Sequence, residues 1–530
     1  MAASRTSADR VRSALSRPET YPHRPAQVEV RETHISWVFL AGELAYKLKK
    51  PLVLDFLDYG TPRRRRAMCE EEVILNRRLA PRIYLGVRGV AVTDGGVQLT
   101  AADDRRAVDF VVEMRRYDER ATLAARLERG ELGQEQVRAV AAMLARFHAA
   151  ARPVRVGDGP VLAVERRFDR NLQELLACVE QWSEIGRVQA LERFAHAFIA
   201  AHAKTFQLRA NGGRVREGHG DLRAEHVLTN GNVEVVDCLE FDQALRELDV
   251  ADDLAFLVFD LTARGGERFS DLLVQAYREA GGDPGEDWLI AFYAAYRALV
   301  RAKVALVRAS QRAAQTPERG EESARMRNLI AVAERFAWRA RLPLLIVVCG
   351  LPASGKSHLT SALAQLSGLA HLSSDATRKR LAGVPSTKRA PGARYSAEWN
   401  ARTYTALGER AARAVAASGG ALVDATFRHL VDRRSFMSAL RGPASPVFIE
   451  CQAPRAVLVE RAARRERDPQ RVSDADTAVV TRELGSWEPL DEVPAEAHVM
   501  LRTDRSLKEI VGDVLALLDR RLLALAVGPK

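Results

Sequence analysis

The stretch Leu344-Leu-Ile-Val-Val348-Cys-Gly350-Leu-Pro-Ala-Ser-Gly355-Lys356-Ser357 decides the fold of the C-terminal part of the chain. It begins with an apolar run typical of a buried strand and then satisfies the phosphate-binding pattern G-x-x-x-x-G-K-[ST] before a helical pattern. In such a loop the backbone closes around phosphate groups, the lysine neutralises the β and γ oxygens, and the serine hydroxyl binds magnesium. The sequence therefore predicts a site for ATP and Mg²⁺ formed by Gly350, Leu351, Pro352, Ala353, Ser354, Gly355, Lys356 and Ser357.

Short apolar runs alternate with helical sequence beyond this loop, at residues 421–423, 447–449 and 498–501. Strands that alternate with helices indicate a parallel sheet. Asp424 ends the first of these runs, and a carboxylate at the end of such a strand is suited to hold Mg²⁺ through water. A turn residue at the end of a strand is the alternative interpretation of Asp424.

The region from about residue 344 to residue 523 resembles the P-loop kinases of small molecules and of polynucleotide ends, including zeta-toxin-like and chloramphenicol-phosphotransferase-like members. The resemblance rests on the phosphate loop followed by His371-Leu-Ser-Ser-Asp375-Ala-Thr-Arg378. It implies that Asp375 orients the acceptor hydroxyl and takes its proton, with Arg378 beside it, and that a lid contributes Arg461 and Arg465. On the residues alone, Asp375 could instead cap a helix, and the arginines could form an exposed helix face.

A second group of residues, His219-Gly220-Asp221-Leu-Arg-Ala-Glu-His226, has the order of a kinase catalytic loop and is followed by Val235-Val236-Asp237 on a strand-like run. Asp221 is placed to accept the proton of a substrate hydroxyl, and Asp237 to bind Mg²⁺ at the phosphates. Together with the acidic segment that begins at Leu248, this loop resembles the aminoglycoside phosphotransferase family, whose HGD replaces the HRD of protein kinases.

That resemblance runs from about residue 28 to residue 314 and implies further site residues. Lys47, on the strand-like run 44–48, would pair with the α and β phosphates and be held by Glu71 or Glu72. A surface lysine is the alternative interpretation of Lys47.

Two features of this N-terminal half depart from the kinase pattern. His226 stands where the family has a metal-binding asparagine, and imidazole is a poor ligand for a hard ion such as Mg²⁺, although Glu240 or Asp242 could supply an oxygen. The hairpin before Lys47 also lacks a glycine-rich loop, since Thr33, His34 and Ser36 occupy its place. A kinase-like fold that has lost catalysis is therefore the alternative for this half.

Composition narrows the classes of protein that remain. The chain has 530 residues with 80 Lys and Arg against 69 Asp and Glu, a net charge of +11. This excess is spread along the chain, which favours solvated surfaces over a dedicated nucleic-acid surface without excluding nucleic acid.

No apolar run is long enough to span a bilayer and the start lacks the pattern of a signal peptide, so we expect a cytoplasmic protein without a membrane segment. The 5 cysteines are scattered, which favours reduced thiols.

The sequence thus predicts two domains in tandem: a two-lobed α+β domain of the protein-kinase-like, aminoglycoside-phosphotransferase-like fold, and an α/β P-loop kinase domain with a parallel sheet. Together they resemble the bacterial family of bifunctional aminoglycoside phosphotransferase and ATP-binding proteins. We expect an N-terminal extension at 1–27, the first domain at 28–314, a helical connector at 315–341 and the P-loop domain at 342–530.

The expected function is transfer of a phosphoryl group from ATP to a hydroxyl of a small molecule. A regulatory or scaffold protein and a nucleic-acid end kinase are the alternatives. The pattern predicts neither the acceptor nor the oligomeric state.

Overall fold

The computed structural model describes residues 2–54, 57–93, 96–157, 159–179, 184–310, 316–385, 396–441, 445–467, 477–483 and 485–527. Its packing divides the chain into two compact units. The first unit comprises Met1–Ala163 with Lys204–Arg297, and the second comprises Val164–Ala203 with Ala298–Lys530.

The first unit begins with a 6-stranded antiparallel sheet in the order β1-β2-β3-β8-β6-β7. The strands are β1 (Val28–Glu32), β2 (Ser36–Ala41), β3 (Leu44–Lys49), β6 (Tyr84–Thr93), β7 (Gly96–Ala101) and β8 (Ala107–Arg115), and β4 (Val53–Leu54) and β5 (Leu57–Asp58) form a separate short hairpin. The hairpin of β2 and β3 agrees with the two apolar runs around Gly42 in the sequence. It places Lys47 in a central strand of the sheet.

Both faces of this sheet are covered by helices. On one face, Ala45 and Val112 pack against Val73 of helix α2 (Pro62–Arg77), whose first turn is capped by the Thr61 side chain. On the other face, Phe39 and Tyr46 belong to a core that includes residues of helix α1 (Ala2–Leu15). The predicted N-terminal extension is therefore a structural layer of this unit, because without it an aromatic face of the sheet would be exposed.

The chain after the sheet is largely helical. The elements in chain order are α3 (Leu123–Glu128), α4 (Gln134–Ala150), α5 (Pro160–Val179), α6 (Ile185–Ala201), α7 (Ala203–Asn211), β9 (Val215–Glu217), β10 (Val227–Asn230), β11 (Asn232–Val235), β12 (Glu247–Asp249), α8 (Val250–Ala263), α9 (Glu267–Glu279) and α10 (Asp287–Ser310). An antiparallel sheet with helix α2, followed by a helical part, confirms the α+β kinase-like architecture predicted for this half.

A 5-stranded parallel sheet in the order β14-β15-β13-β16-β17 forms the centre of the second unit. Its strands are β13 (Leu344–Cys349), β14 (Ala370–Ser373), β15 (Gly420–Asp424), β16 (Pro446–Gln452) and β17 (His498–Arg502). The helices around it are α11 (Pro317–Arg339), α12 (Lys356–Ser367), α13 (Ser374–Leu381), α14 (Ala397–Ser418), α15 (Leu430–Ala439), α16 (Arg455–Glu466), α17 (Thr477–Glu483) and α18 (Leu507–Val527). The predicted α/β domain with a parallel sheet is confirmed.

Every residue of β13 is buried, because the two faces of the sheet are each covered by helices. Ile346 belongs to the core that includes residues of α12 and α18, whereas Val347 belongs to the core that includes residues of α14 and α15. The next strand in sequence, β14, lies beyond β15, while β16 lies on the other side of β13. Connections therefore diverge at the carboxyl end of β13, which is where open α/β sheets bind their ligands.

The two compact units divide the chain differently from the domains that the sequence predicts. Residues 164–203 lie in the second unit, because α6 packs against α18 and the guanidinium of Arg341 lies 4.2 Å from the ring centroid of Phe194. The boundaries at 28, 314 and 342 stay predictions. Within the described ranges, no helix combines the length and the apolar composition needed to cross a membrane.

We predict that helix α1 stabilises the first unit. Leu15 is fully buried, so Leu15→Ala should lower the free energy of unfolding by about 2–5 kcal/mol. Arg10→Ala, on the exposed face of the same helix, should change it by less than about 0.5 kcal/mol. Urea unfolding followed by circular dichroism measures both, and equal effects of the two substitutions would contradict a core role for α1.

Candidate active sites

The phosphate loop of the second unit directly follows β13 and ends at the first residue of α12. Gly350 has φ 134°, and a Cβ atom there would lie 2.4 Å from the carbonyl oxygen of Cys451, so only glycine fits. Gly355 caps α12 in the left-handed conformation. The two glycines of the motif thus hold the loop at the carboxyl end of the sheet.

Lys356 lies inside this loop. Its side chain is largely buried, and in the structure Nζ donates a hydrogen bond to the carbonyl of Leu351 at 2.9 Å. The Ser354 hydroxyl is buried and has no hydrogen-bond partner among the described residues. A buried ammonium and an orphaned hydroxyl inside one loop fit a bound phosphate group, which would supply acceptors for both.

A cavity of about 550 Å³ opens next to the loop, and its volume lies in the range of small-molecule sites. Its lining includes residues of the loop, four cationic side chains and apolar side chains. The lining residues are Ala353, Gly355, Lys356, Ser357, His358, Leu359, Arg461, Arg464, Thr503, Arg505, Leu507 and Ile510. The predicted Arg461 is therefore at the cavity, whereas the Arg465 side chain lies outside the described residues.

Thr503 is a residue of this site that the sequence reasoning missed. Its hydroxyl lies 2.6 Å from the Ser354 carbonyl, to which it donates, and Arg461 Nη2 donates to the Thr503 carbonyl at 2.7 Å. Thr503 directly follows β17, so its place after the last parallel strand was the signal that could have found it. It connects the loop to the arginine of the cavity.

Asp424 ends β15 beside the loop. Gly350 N donates to the carbonyl of Thr426 at 3.2 Å, which places the segment after Asp424 alongside the start of the loop. The Asp424 carboxylate is buried, and its nearest recorded ionisable partner is His371, 3.6 Å away. A carboxylate and the exposed Ser357 hydroxyl are oxygen donors of the kind that Mg²⁺ prefers, so these residues fit the predicted ion.

Asp375 and Arg378 both lie on α13, after β14. The N-cap of this helix is Ser373, whose side chain accepts from Ala376 N, so Asp375 is not the cap. Arg378 is buried and donates to Asn400 Oδ1 at 2.7 Å. Asp375 lies in the first turn of α13 and Arg378 in its last turn, so the carboxylate and the guanidinium are carried by one short helix.

In the first unit, Lys47 joins two of the predicted acidic residues. Its Nζ lies 2.8 Å from Glu72 Oε1 and 2.9 Å from Asp237 Oδ1. Burial by itself would raise the pKa of Asp237, but Lys47 outweighs it and holds that pKa well below its usual range. The lysine, the helix carboxylate and the metal-binding aspartate of the kinase pattern are thus brought together.

The sequence left Glu71 and Glu72 open, and the structure distinguishes them. Glu72 is fully buried on the sheet side of α2 and pairs with Lys47, whereas Glu71 pairs with Arg246 Nη2 at 3.1 Å. A second lysine, Lys49, also binds Glu72 at 2.6 Å. Glu71 is therefore not the partner of Lys47.

Lys49 forms a further buried contact that the sequence reasoning missed. Its Nζ lies 2.5 Å from Glu240 Oε1, and the Tyr59 hydroxyl donates to the same oxygen at 2.8 Å. Glu240, one of the two suggested replacements for the metal ligand, is thus held by a lysine and a tyrosine. The other, Asp242, accepts from Ala244 N as the cap of a short helix.

The HGD loop is held by a buried carboxylate on α8. Asp253 accepts from His219 N at 2.7 Å and from Gly220 N at 3.0 Å, and it contacts His148 Nε2 at 3.2 Å. Gly220 has φ 84°, and a Cβ atom there would lie 3.1 Å from the Leu245 carbonyl oxygen, so glycine suits this turn. Burial lowers the pKa of His219 to about 4, and its Nε2 donates to the Val236 carbonyl at 3.0 Å. The neutral imidazole thus ties the loop to the strand before Asp237.

Asp221 is paired with Arg223, two residues further along the loop. Arg223 Nε lies 3.0 Å from Asp221 Oδ1, and Nη2 lies 2.9 Å from Oδ2. His226, the predicted metal ligand, directs Nδ1 at the Asp221 carbonyl, 2.9 Å away, and Nε2 at Arg223 Nη2, 2.9 Å away. Both ring nitrogens therefore have partners within the loop.

The hairpin that stands in place of a glycine-rich loop is closed by its own polar groups. Thr33 Oγ1 lies 3.0 Å from the Ser36 carbonyl and 3.0 Å from Ser36 N, and Lys50 Nζ donates to the Thr33 carbonyl at 2.6 Å. No set of three or more His, Cys, Asp or Glu side chains in the described part of the chain forms a metal cluster.

Comparison with known proteins gives a family match in the C-terminal half and relatives of similar sequence. The AAA domain family model matches residues 345–490, which confirms the predicted P-loop domain. The uncharacterized protein Rv2004c of Mycobacterium tuberculosis is 36% identical over 389 residues, covering 73% of this chain and 75% of that protein.

Solved structures of kinases are similar to parts of the chain. A gluconokinase from Sinorhizobium meliloti is 24% identical, covers 36% of this chain and 99% of its own, and has a TM-score of 0.26. A putative aminoglycoside phosphotransferase from Ralstonia eutropha is 13% identical, covers 60% of this chain and 95% of its own, and has a TM-score of 0.36.

We predict that Lys356→Ala strongly weakens nucleotide binding by the second unit. A charge-assisted contact to phosphate is lost, so affinity should fall by about 10- to 100-fold. Lys508→Ala removes an exposed lysine of α18 outside the cavity lining and should leave affinity unchanged. Calorimetric titration with ATP compares the variants, and equal affinities would contradict the site.

Glu71 and Glu72, two of the glutamates of α2, provide a matched pair for the first unit. Glu72→Gln removes the charge that balances two buried lysines, so the protein should lose about 3 kcal/mol or more of stability and the nucleotide-induced rise in Tm. Glu71→Gln disrupts a partly exposed pair and should cost about 1 kcal/mol or less. Thermal unfolding of chains that also carry Lys356→Ala, with and without Mg-ATP, measures both, and the reverse ranking would refute this assignment.

Proposed function

We propose that this chain, which belongs to the same family as the uncharacterized protein Rv2004c of Mycobacterium tuberculosis, is an ATP-dependent phosphotransferase acting on a hydroxyl group of a small molecule. One observation carries the proposal. A cavity of about 550 Å³ contains Lys356, Arg461 and Arg464 directly beside a phosphate loop with an orphaned Ser354 hydroxyl. Several cations around one loop favour a polyphosphate over a neutral ligand.

ATP would be held by two kinds of contact in this cavity. The loop residues and Lys356 would bind the β and γ phosphates, and Leu507 and Ile510 offer apolar surface to the nucleoside part. When bound at Ser357 and Asp424, Mg²⁺ would neutralise charge on the phosphate oxygens. Arg461, held by the Thr503 carbonyl, would add positive charge where the phosphoryl group is transferred.

The acceptor hydroxyl would be handled from α13. Asp375 would take the hydroxyl proton as the acceptor oxygen bonds to the γ-phosphorus, while the bond from that phosphorus to the β–γ bridging oxygen breaks and ADP leaves. Arg378, held by Asn400, would position the acceptor or the transferring group. The proposed acceptor is a small molecule with a hydroxyl group.

The first unit would carry a second nucleotide site. Its support is the contact of Lys47 with both Glu72 and Asp237, which is the charge arrangement that a kinase needs around ATP and Mg²⁺. Asp237 retains about 40% side-chain exposure and can reach a bound ion. Asp221 would serve as the base of this site, and its carboxylate is already oriented by Arg223.

A phosphorylation screen tests the proposed activity. The full chain is incubated with radiolabelled γ-phosphoryl ATP and pools of hydroxyl-bearing metabolites, with short oligonucleotides as a parallel arm. We expect label to pass to a small molecule, and the transfer should fall in the Lys356→Ala variant. Transfer only to oligonucleotides would move the function to the nucleic-acid end kinases, and no transfer to either would favour the regulatory alternative.

We predict that the two aspartates of the second unit have separable roles. Asp375→Asn should reduce phosphoryl transfer by about 100-fold or more while ATP affinity stays within about threefold, because general base catalysis contributes on that order. Asp424→Asn should instead raise the Mg²⁺ concentration needed for half-maximal activity. Steady-state kinetics over a magnesium series measures both effects.

Wild-type behaviour of both variants would contradict these roles. A loss of ATP affinity in Asp375→Asn would place that carboxylate at the nucleotide instead of the acceptor.

A further inference from the structure

The catalytic loop of the first unit does not offer a second metal ion the ligand that kinases use. His226 stands where an asparagine oxygen is expected, and its side chain is almost completely buried. Its Nδ1 donates to the Asp221 carbonyl at 2.9 Å, which leaves Nε2 as the acceptor. Arg223 Nη2 donates to that Nε2 at 2.9 Å. A nitrogen whose lone pair accepts from a guanidinium has none left for a metal ion, so a second magnesium does not fit here.

The guanidinium of Arg223, which carries a permanent positive charge, lies beside the His226 ring. The Arg223 side chain is about 13% exposed and grips Asp221 through Nε and Nη2. Val236 N, one residue before Asp237, donates to the His226 carbonyl at 3.0 Å. The loop that holds the guanidinium on the proposed base therefore runs beside the segment whose carboxylate would hold the first metal ion.

The Nη1 group of Arg223 can bind a ligand. Its Nη1 pairs with Glu225, whose side chain is about 43% exposed and also contacts Arg264 Nη2 at 3.4 Å. An exposed ion pair contributes little, and Glu225 keeps a second cation if it releases Arg223. The Nη1 edge is thus available to an anion while Nε and Nη2 stay on Asp221.

We infer that Arg223 binds the transferring phosphoryl group and takes the place of the second metal ion, so that the first unit works with one metal ion at Asp237. The inference rests on the nucleotide site proposed above for this unit. The two N–H bonds of Nη1 can donate to phosphate oxygens, and a guanidinium, unlike an ion, needs no ligand shell of its own. The Asp221–Arg223–His226 contacts then serve to aim this cation.

Metal counting tests the inference. The full chain carrying Lys356→Ala, which weakens the second unit's site, is saturated with the ATP analogue AMP-PNP, and bound Mn²⁺ is counted by electron paramagnetic resonance. The same count is made after adding Asp237→Asn. We expect the difference to be one Mn²⁺ per chain, since Asp237 would hold a single ion. A difference of two would overturn the inference while leaving the nucleotide site of the first unit in place.

Nucleotide affinity provides the second arm, again in the Lys356→Ala chain. Arg223→Met should weaken AMP-PNP binding by about 10- to 100-fold and ADP binding by less than about threefold, because only AMP-PNP has a γ-phosphoryl group. Arg264→Met, which also removes a partner of Glu225 but has no recorded contact with Asp221, should stay within about twofold. Equal effects of the two substitutions would overturn the inference.

Two controls keep the outcomes distinct. The metal count uses the native Arg223, so it decides the question even if Arg223→Met fails to fold by circular dichroism. Absence of any AMP-PNP binding and of any Mn²⁺ lost with Asp237→Asn would overturn the nucleotide site proposed for this unit, and the inference with it.

Discussion

Two lysines of one strand share a single buried carboxylate, and the first unit is arranged around that contact. Glu72 is fully buried, with one oxygen on Lys47 and the other on Lys49. Because a buried charge without a partner is very costly, helix α2 must stay on this face of the sheet for both lysines to remain paired. Lys47 and Lys49 then extend the constraint to Asp237 and Glu240, in the segment after β11. The position of the site's acidic residues therefore follows from one helix packing on one strand.

The second unit positions its charges in a different way. Its loop is shaped by glycine conformations at the end of a strand that is buried on both faces, so backbone geometry does most of the positioning. The Thr503 hydroxyl then donates to the Ser354 carbonyl of the loop, and Arg461 donates to the Thr503 carbonyl. A backbone cradle of this kind is rigid because the parallel sheet cannot shift one strand without the others.

Hydrogen bonds from other elements explain how the HGD loop of the first unit is held without the usual asparagine. The HGD loop is held in place by buried groups on other elements, chiefly Asp253 on α8 and the neutral His219. These anchors lie outside position 226, and His226 adds its own hydrogen bond to the Asp221 carbonyl. Arg223 contacts both Asp221 and His226 in this loop, so a fixed cation lies beside the aspartate of the HGD motif.

The sequence by itself determined the features that depend on residues close together in the chain. The phosphate loop at 350–357, the alternation of strands with helices beyond it and the HGD loop followed by Asp237 are local motifs, because short spacing fixes their order in any fold that contains them. Lys47 was assigned through the resemblance to a kinase family. The choice of Glu72 over Glu71 was decided only by tertiary structure, since neighbouring residues of a helix point in different directions and only packing shows which one faces the strand. The same holds for the layer made by α1, for Thr503 at the loop and for Glu240 on Lys49. Each of these contacts joins residues far apart in sequence, and no local pattern records which distant groups the fold brings within hydrogen-bond distance.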